Sequence, residues 1–216
     1  MTRPTSKLDS IGEKVCAHFS IQDSAREQGL RFSRDSIRYS ANAIRAVHRG
    51  EYDQAKELIG SSRTCVEGMS STLADHPELL HGGFVHNAQK EYAEACITLA
   101  LVSGQTLPDP DELGISHAAY LNGLGEAAGE LRRHLLDTLR DGHMDRCEEI
   151  LGEMDDIYSL LVTIDFHDAL TGGLRRTTDM VRGVLERTRG DLTVSLRQRE
   201  LERKLDDFGD KLNRGQ

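Results

Sequence analysis

Apolar residues recur along most of this chain at intervals of three, four and seven positions, the spacing that places side chains on one face of an α-helix. In the first long segment this pattern takes in Leu30, Ile37, Ala41, Ile44 and His48. The pattern stops at Arg49-Gly50, and a basic residue followed by glycine is typical of a helix C-terminus. A first helix is therefore predicted over about residues 30–49.

Five more helices follow from the same periodicity. The predicted helices begin near Glu51, Phe84, Ser116, residue 143 and residue 174, with Ser116 as an N-terminal cap and a kink expected in the last helix at Gly190-Asp191. Prolines occur only at positions 4, 77, 108 and 110, which leaves long stretches free of helix-breaking residues. Runs typical of β-strands are absent. The sequence predicts an all-α fold of six or seven helices, some of them long.

The loop QTLPDPDELG is the clearest linker, but it is too short to separate two independent domains. We therefore expect a single all-α domain over residues 1–216, a helical bundle in which about 20 N-terminal and 12 C-terminal residues fray. Composition adds that the chain has no apolar run long enough for a membrane span. Four scattered cysteines without a CxxC pair favour a reduced, cytoplasmic protein.

The chain carries 36 acidic and 27 basic side chains, a net charge of −9. This balance argues against a general basic coat for nucleic acid, but it leaves local patches open. Residues 141–170 are strongly acidic, and residues 175–204 are basic. The basic stretch is either a solvated helix face or a surface that contacts phosphates.

The third predicted helix contains the sequence Glu91-Tyr-Ala-Glu94 beside an apolar stripe. Residues three apart are neighbours on a helix, so the two carboxylates lie close together at the edge of a buried face. Adjacent carboxylates repel each other unless a cation lies between them, and Mg²⁺ suits such a pair. A pair of solvated glutamates is the simpler explanation for the motif taken alone.

The fourth predicted helix carries Glu126 and Glu130 on one face, next to Gly123, Gly125 and Gly129. Glycine in a helix interior is unfavourable by up to about 1 kcal/mol relative to alanine. Three of them in seven residues indicate that another helix or a ligand approaches closely. The alternative is a polar face on which Glu130 pairs with a neighbouring basic residue.

One further acidic motif, Glu153-Met-Asp-Asp156, could join Glu91 and Glu94 in an all-α nucleotide pyrophosphohydrolase of the MazG type. A whole predicted helix separates Glu94 from Glu153, which weakens this alternative. Signatures of phosphate-binding loops and of serine or cysteine nucleophiles are absent.

Four segments, in the right order, resemble the translin/TRAX family. The segment FSRDSIRYSANAIRAVHRGEY is similar to the family's opening helix, QKEYAEA to the QEYVEA segment of TRAX-type members, and YLNGLGEAAGELRR to their YLLGVADLTGELMR stretch. The segment LRRTTDMVRGVLERTRGDLT resembles the last long helix, especially of archaeal members. The resemblance spans about residues 30–193.

This resemblance implies a seven-helix, one-domain bundle that assembles into a closed homo-oligomer, a hexamer or an octamer. Translin-type subunits bind single-stranded RNA and DNA, and TRAX-type subunits carry a Mg²⁺-dependent endoribonuclease site made of acidic residues. Carried over by motif, the catalytic and metal-binding acids fall on Glu91, Glu94, Glu126 and Glu130. Glu126 is a departure, because the family has aspartate there, and the longer side chain moves the carboxylate by one methylene.

We therefore expect a Mg²⁺-dependent endoribonuclease acting on single-stranded RNA, with Mn²⁺ as an alternative metal and single-stranded DNA as an alternative ligand. Lys90 and Arg133 are the basic residues best placed to hold flanking phosphates. Three alternatives stay open: a translin-like RNA or DNA binder without activity, the MazG-like pyrophosphohydrolase, and a structural helical subunit whose acids are solvated.

Overall fold

The computed structural model describes residues 5–214, and side chains as far as residue 211. Six long helices account for most of this range: α1 (Leu8–His48), α2 (Tyr52–Leu73), α4 (Gly83–Ser103), α6 (His117–Arg140), α7 (Met144–Thr163) and α9 (Leu174–Arg214). Three single turns lie between them: α3 (Pro77–Leu80), α5 (Pro110–Leu113) and α8 (Asp168–Thr171). The described residues contain no strand.

The prediction of an all-α fold is confirmed. Five of the six long helices begin within a few residues of the predicted positions, and the Ser116 hydroxyl caps α6 by accepting a hydrogen bond from the Ala119 amide. The kink expected at Gly190-Asp191 does not interrupt α9, which continues through these residues to Arg214. A single glycine in a helix interior is less favourable than alanine by only about 1 kcal/mol, and the flanking helical turns compensate for a penalty of this size.

Helix α1 is much longer than its sequence pattern predicted. It begins at Leu8 rather than near residue 30, and residues 5–21 are exposed. The N-terminal stretch expected to fray is therefore helical from residue 8, as is the C-terminal stretch as far as residue 214. The other residues of these two stretches, 1–4 and 215–216, lie outside the described part of the chain.

The turn between α1 and α2 depends on Gly50, as the sequence indicated. Its φ of 74° lies in the left-handed region, which glycine adopts without the steric penalty of a Cβ atom. The Gly50 amide donates to the Val47 carbonyl, and the Glu51 amide donates to the Ala46 carbonyl. These bonds satisfy carbonyl groups at the end of α1 and let α2 start two residues later.

The chain divides into two compact units, one of residues 1–96 and 108–120 and the other of residues 97–107 and 121–216. Organisation as one domain stays a prediction. In the first unit, apolar side chains from α1, α2 and α4 form a core that includes Ala25, Met69, Leu73, Val85 and Ala88. A smaller cluster joins Ala43, Ile44 and Ala95.

Small and hydroxylated residues form the buried face of α1, whereas the sequence pattern predicted an apolar stripe. Ser36 and Ser40 are fully buried, and their hydroxyls lie 2.8 and 2.9 Å from the Ser62 hydroxyl of α2. Ser33 donates to the Phe84 carbonyl at 3.0 Å. Of the predicted stripe, Ile44 is buried and the other members are only half-buried. Hydroxyls that bond to each other can be buried at little net expense, so this face packs without bulky side chains.

In the second unit, α7 packs against α9 through a regular apolar stripe. Its buried members on α7 are Cys147, Ile150, Met154, Ile157 and Leu161. On α6, the apolar residues Leu124, Ala128, Leu131 and Leu135 recur at helical spacing and are buried. Asn122 of α6 donates to the Thr171 carbonyl at 2.8 Å and accepts from the Thr177 hydroxyl at 2.6 Å.

Close packing against α9 explains Gly125, one of the three α6 glycines noted in the sequence. A Cβ atom there would collide with Cγ2 of Thr177 on α9 and would lie 3.4 Å from Leu161 and Val181. Thr177 cannot turn away easily, because its hydroxyl is bonded to Asn122. Gly129, one turn further, faces open space.

We expect Gly125→Ala to lower the free energy of unfolding by about 1–3 kcal/mol, because the added methyl overpacks the contact with α9. Chemical denaturation of the purified chain measures this change. Gly129→Ala is the matched control on the same helix. It should be neutral or raise stability by up to about 1 kcal/mol, through helix propensity alone.

A double variant separates the collision from other effects of alanine at position 125. Thr177→Ser removes the methyl group that collides and keeps the hydroxyl bonded to Asn122. Gly125→Ala combined with Thr177→Ser should therefore recover most of the lost stability. Additive losses in the double variant would show that this contact does not fix the position of α6.

Candidate metal and nucleic-acid site

Helix α4 is buried on every side through its middle. All nine residues from Tyr92 to Ala100 are buried, so this helix is apolar all round rather than amphipathic. The predicted stripe of Ala88, Tyr92, Ala95, Leu99 and Val102 is buried throughout. Two acidic side chains, Glu91 and Glu94, interrupt this apolar environment.

Glu94 is only 8% exposed, and Glu91 is half-buried. Glu94 is the more deeply buried of the two, although on the helix it lies further from the apolar stripe than Glu91. This difference arises because the stripe is one part of a helix that is enclosed all round. Ionised carboxylates are stable in such surroundings only when paired with cations or hydrogen-bond donors. Lys90 is one such group, since its ammonium lies 3.5 Å from a Glu91 carboxylate oxygen.

Helix α6 supplies the second pair of acids. Glu126 and Glu130 are both half-buried and lie one turn apart on this helix. Both make further interactions with the rest of the chain. Their spacing therefore gives a polar face on α6, as the sequence predicted.

Three of the four predicted acids come together. Glu91, Glu94 and Glu126 each offer one carboxylate oxygen, and these three oxygens lie within 4.8 Å of one another. Glu130 lies outside this group, although it was predicted to share it. Glu130 follows Glu126 by one helical turn, and the Cβ atoms of residues at this spacing are about 6 Å apart. The carboxylate of Glu130 therefore lies away from the point where the other three meet.

The donor chemistry of this group fits a hard divalent cation. Mg²⁺ and Mn²⁺ favour carboxylate oxygens, and Mg²⁺ commonly takes one or two carboxylates and completes its shell with water. Three carboxylates at this spacing repel one another in a partly buried setting, and a cation would remove that repulsion. The residues present therefore suit Mg²⁺ or Mn²⁺.

The alternative acidic motif lies elsewhere. Glu153 of α7 accepts a hydrogen bond from Arg146 at 3.2 Å, and among the described residues it does not belong to the group formed by Glu91, Glu94 and Glu126. Burial raises the pKa of Glu153, and the Arg146 guanidinium opposes that shift. This pairing disfavours the MazG-like alternative, which needs Glu153 and Asp156 beside the α4 acids.

The predicted phosphate contacts differ from each other. Lys90 is partly buried, and its ammonium lies 3.5 Å from a carboxylate oxygen of Glu91. Arg133 is exposed, and no ion pair or hydrogen bond of its side chain is found within residues 5–211. Its neighbour Arg132 is bound to Thr188 and Asp191 of α9 at 3.0 and 2.8 Å. Arg133 is therefore the arginine of this pair that is available to a ligand.

Five of the nine basic residues in the stretch 175–204 of α9 pair with acids, which favours the solvated helix face. Arg175 contacts Asp165, and Arg189 contacts Asp155, so the acidic segment 141–170 meets the basic segment 175–204. Arg182 and Arg197 pair with acids on α9 itself. The charge segregation along the sequence is thus offset in three dimensions.

The sequence pattern overlooked one polar residue on α4. Thr98 is fully buried and follows Glu94 by four positions and Glu91 by seven, so it lies on the same face of the helix. That spacing was visible in the sequence. A threonine in an apolar run gives no sign of its chemistry until its hydrogen bonds can be examined.

Comparison with known proteins adds independent evidence. No family model matches the chain. An uncharacterized protein of Methanocaldococcus jannaschii, MJ0175, is 30% identical over 186 residues, which cover 85% of this chain and 82% of that protein. The crystal structure of AfC3PO is 30% identical with a TM-score of 0.78, and the match covers 87% of this chain and 97% of AfC3PO. The chain belongs to the translin/C3PO family.

Two further structures are similar to this translin/C3PO chain. The AfC3PO complex with duplex RNA gives a TM-score of 0.79 at 29% identity, with 87% of this chain and 97% of that chain covered. The structure of apo-NeC3PO gives a TM-score of 0.71 over 90% of this chain and 98% of that chain, at 20% identity, a likeness that supports the fold alone. The family resemblance found in the sequence is therefore confirmed. In addition, no helix in the described residues is long and apolar enough to cross a membrane.

The cysteines offer a test of how tightly α4 is enclosed. Burial raises the pKa of the Cys96 thiol to about 12, whereas Cys16 on α1 is exposed. At pH 8 a thiol with that pKa is ionised to only about one part in ten thousand, and the thiolate is the reactive form. In the native protein we expect a thiol reagent such as DTNB to modify Cys16 within minutes and to leave Cys96 unmodified.

Peptide mapping of the labelled sites after quenching measures this difference. Raising the pH to 9 should leave Cys96 unreactive, because the folded-state pKa is still about three units higher. In denaturant, all four cysteines should react. Labelling of native Cys96 at the rate of Cys16 would contradict the burial of this segment.

Proposed function

We propose that this chain is a Mg²⁺-dependent endoribonuclease that cleaves single-stranded RNA, with Mn²⁺ as an alternative metal. The observation that carries the proposal is the group of three carboxylate oxygens from Glu91, Glu94 and Glu126. Membership of the translin/C3PO family supports RNA as the ligand, since AfC3PO has been solved with duplex RNA. A nuclease needs a site that can hold a metal and a surface that can hold phosphates, and the chain offers candidates for both.

The three glutamates would hold the cation, which supplies charge for activating a water and for stabilising a scissile phosphate. Glu130 would lie one turn from Glu126, at the edge of this group, where it would orient a water or accept its proton rather than bind the metal directly. Glu126 replaces the family's aspartate and would keep the carboxylate on a longer side chain.

Lys90 and Arg133 would contact the phosphates on either side of the cleavage position. Arg133 is exposed, and guanidinium groups bind phosphate oxygens through paired hydrogen bonds. Lys90 lies beside Glu91, so its positive charge is close to the acids. These two basic groups would offset the local effect of the chain's net charge of −9.

A homo-oligomer, a hexamer or an octamer, is part of the proposal. The N-terminal part of α1 exposes Leu8, Ile11, Val15 and Phe19, which recur at steps of three and four residues. The end of α9 likewise exposes Leu201, Leu205 and Phe208. Apolar stripes at helical spacing on the surface of a monomer are typical of association faces.

A second candidate function is a nucleic-acid binder without catalysis. The specific observation in its favour is Glu126, which stands where the resemblance expects aspartate. If the longer side chain spoiled metal geometry, the chain would still bind RNA through its basic groups. The two functions differ in one measurable outcome: only the nuclease releases RNA fragments when Mg²⁺ is added.

Glu94→Gln should lower the rate of cleavage of an unstructured RNA by about 100-fold or more, because the amide keeps the size of the side chain but not its charge. Glu126→Gln should have a similar effect, and Glu126→Asp should retain part of the activity by keeping the carboxylate. A 5′-labelled oligonucleotide analysed on denaturing gels with and without Mg²⁺ measures the rates.

Glu57→Gln is the matched control, since it makes the same chemical change at an exposed position on α2. Its activity should equal that of the unaltered chain, and all variants should keep the same oligomer size by light scattering. The nuclease proposal fails if Glu94→Gln and Glu126→Gln cleave as fast as the control. Tight RNA binding with no Mg²⁺-dependent product in the unaltered chain would favour the binder.

Arg133→Gln should weaken binding to RNA with little regard to sequence, and it should reduce the slope of log affinity against log salt by about 0.7–1. Fluorescence anisotropy at several salt concentrations, with single-stranded and duplex RNA side by side, measures both quantities. Arg140→Gln is the control, because Arg140 is exposed on the same helix and already paired with Asp137. If the slope of log affinity against log salt is the same for Arg133→Gln and Arg140→Gln, Arg133 does not contact the RNA phosphates.

A further inference from the structure

Thr98 has an unusual hydrogen-bonding state for a helical threonine. It is 0% exposed, and its hydroxyl has no hydrogen-bond partner within the described residues. Several other helical hydroxyls of this chain donate to the carbonyl four residues earlier; examples are Thr64, Thr72, Ser103, Thr138 and Thr188. Thr98 does not make the corresponding bond to the Glu94 carbonyl.

The position of Thr98 on α4 relates this unsatisfied hydroxyl to the acidic residues of the same helix. Thr98 lies one turn beyond Glu94 and two turns beyond Glu91, on the same helix face. Side chains on a helix incline toward its N-terminus, so a residue at this position covers the turn that carries Glu94. Thr98 thus shares the helix face of two of the glutamates that form the three-oxygen group.

A valine would fill the same volume without leaving a buried polar atom unpaired. Buried hydroxyls in proteins are almost always hydrogen-bonded, to protein or to ordered water. The hydroxyl of Thr98 is therefore unfavourable in the protein alone, and a ligand near Glu94 that donates a hydrogen bond would satisfy it. Water bound to a divalent cation is a strong donor of this kind, because the cation polarises its O–H bonds.

We propose that Thr98 is a positioning residue for the metal site, whose hydroxyl accepts a hydrogen bond from a water bound to the cation at Glu91, Glu94 and Glu126. The inference rests on the proposed metal site and adds a residue beyond the carboxylates. Partners one step removed from a metal commonly change its affinity by 10–100-fold.

Thr98→Val tests the inference in the full-length chain without RNA. Isothermal titration calorimetry with Mn²⁺ should show affinity weaker by about tenfold for Thr98→Val, and within about twofold of the unaltered chain for Thr98→Ser. In the absence of metal, the thermal midpoint of Thr98→Val should equal or exceed that of the unaltered chain, because valine leaves no unpaired hydroxyl. A merely structural role would lower that midpoint and would leave Mn²⁺ affinity unmoved.

Mn²⁺ affinity of Thr98→Val within twofold of the unaltered chain would overturn the inference, as would a Thr98→Ser variant that loses as much affinity as Thr98→Val. Glu94→Gln, titrated in parallel, separates this failure from that of the proposed function. If the unaltered chain binds no Mn²⁺, or if Glu94→Gln binds it equally well, the metal site itself is wrong and the role of Thr98 falls with it.

Discussion

A carboxylate on a helix enclosed on every side is the constraint on which the rest of the arrangement depends. Glu94 lies within nine consecutive buried residues of α4, and an ionised group there is stable only if cations or donors surround it. Replacing Glu94 by an apolar residue would make α4 an ordinary core helix. Lys90 brings a positive charge to Glu91, and a cation held by Glu91, Glu94 and Glu126 would bring more. This requirement links the interior packing to the chemistry proposed for the site.

The glycines of α6 show how backbone geometry and site geometry are connected. Gly125 lets α6 approach Thr177 more closely than any residue with a Cβ atom allows, and Glu126 is the next residue along. The position of Glu126 therefore depends on a contact made on another side of the same helix. A small change in that contact would move the Glu126 carboxylate, and a metal ligand must be held within about 0.5 Å of its binding position.

Helical periodicity predicted most of the fold because the stripes of α4, α6 and α7 consist of residues that are apolar by composition. It failed on α1, where Ser33, Ser36 and Ser40 form the buried face, because hydroxyls count as polar until their partners are known. The pairing of Glu91 with Glu94 follows from local spacing. That Glu126 joins them and Glu130 does not depends on how two helices distant in sequence pack, which no local pattern contains. The family resemblance supplied Glu126 by motif, but it could not supply distances.

The N-terminal third of α1 has a thermodynamic consequence. Residues 8–21 are helical and exposed, and they extend the part of α1 that is packed in the core. Such an extension needs no new nucleation, but the conformational entropy lost on ordering its residues is not offset by burial within this chain. Burial of Leu8, Ile11, Val15 and Phe19 against a second surface would stabilise the segment further. If another copy supplies that surface, the secondary structure of this segment becomes a function of protein concentration. Dilution would unwind the segment before it affects the core that begins at Ala25.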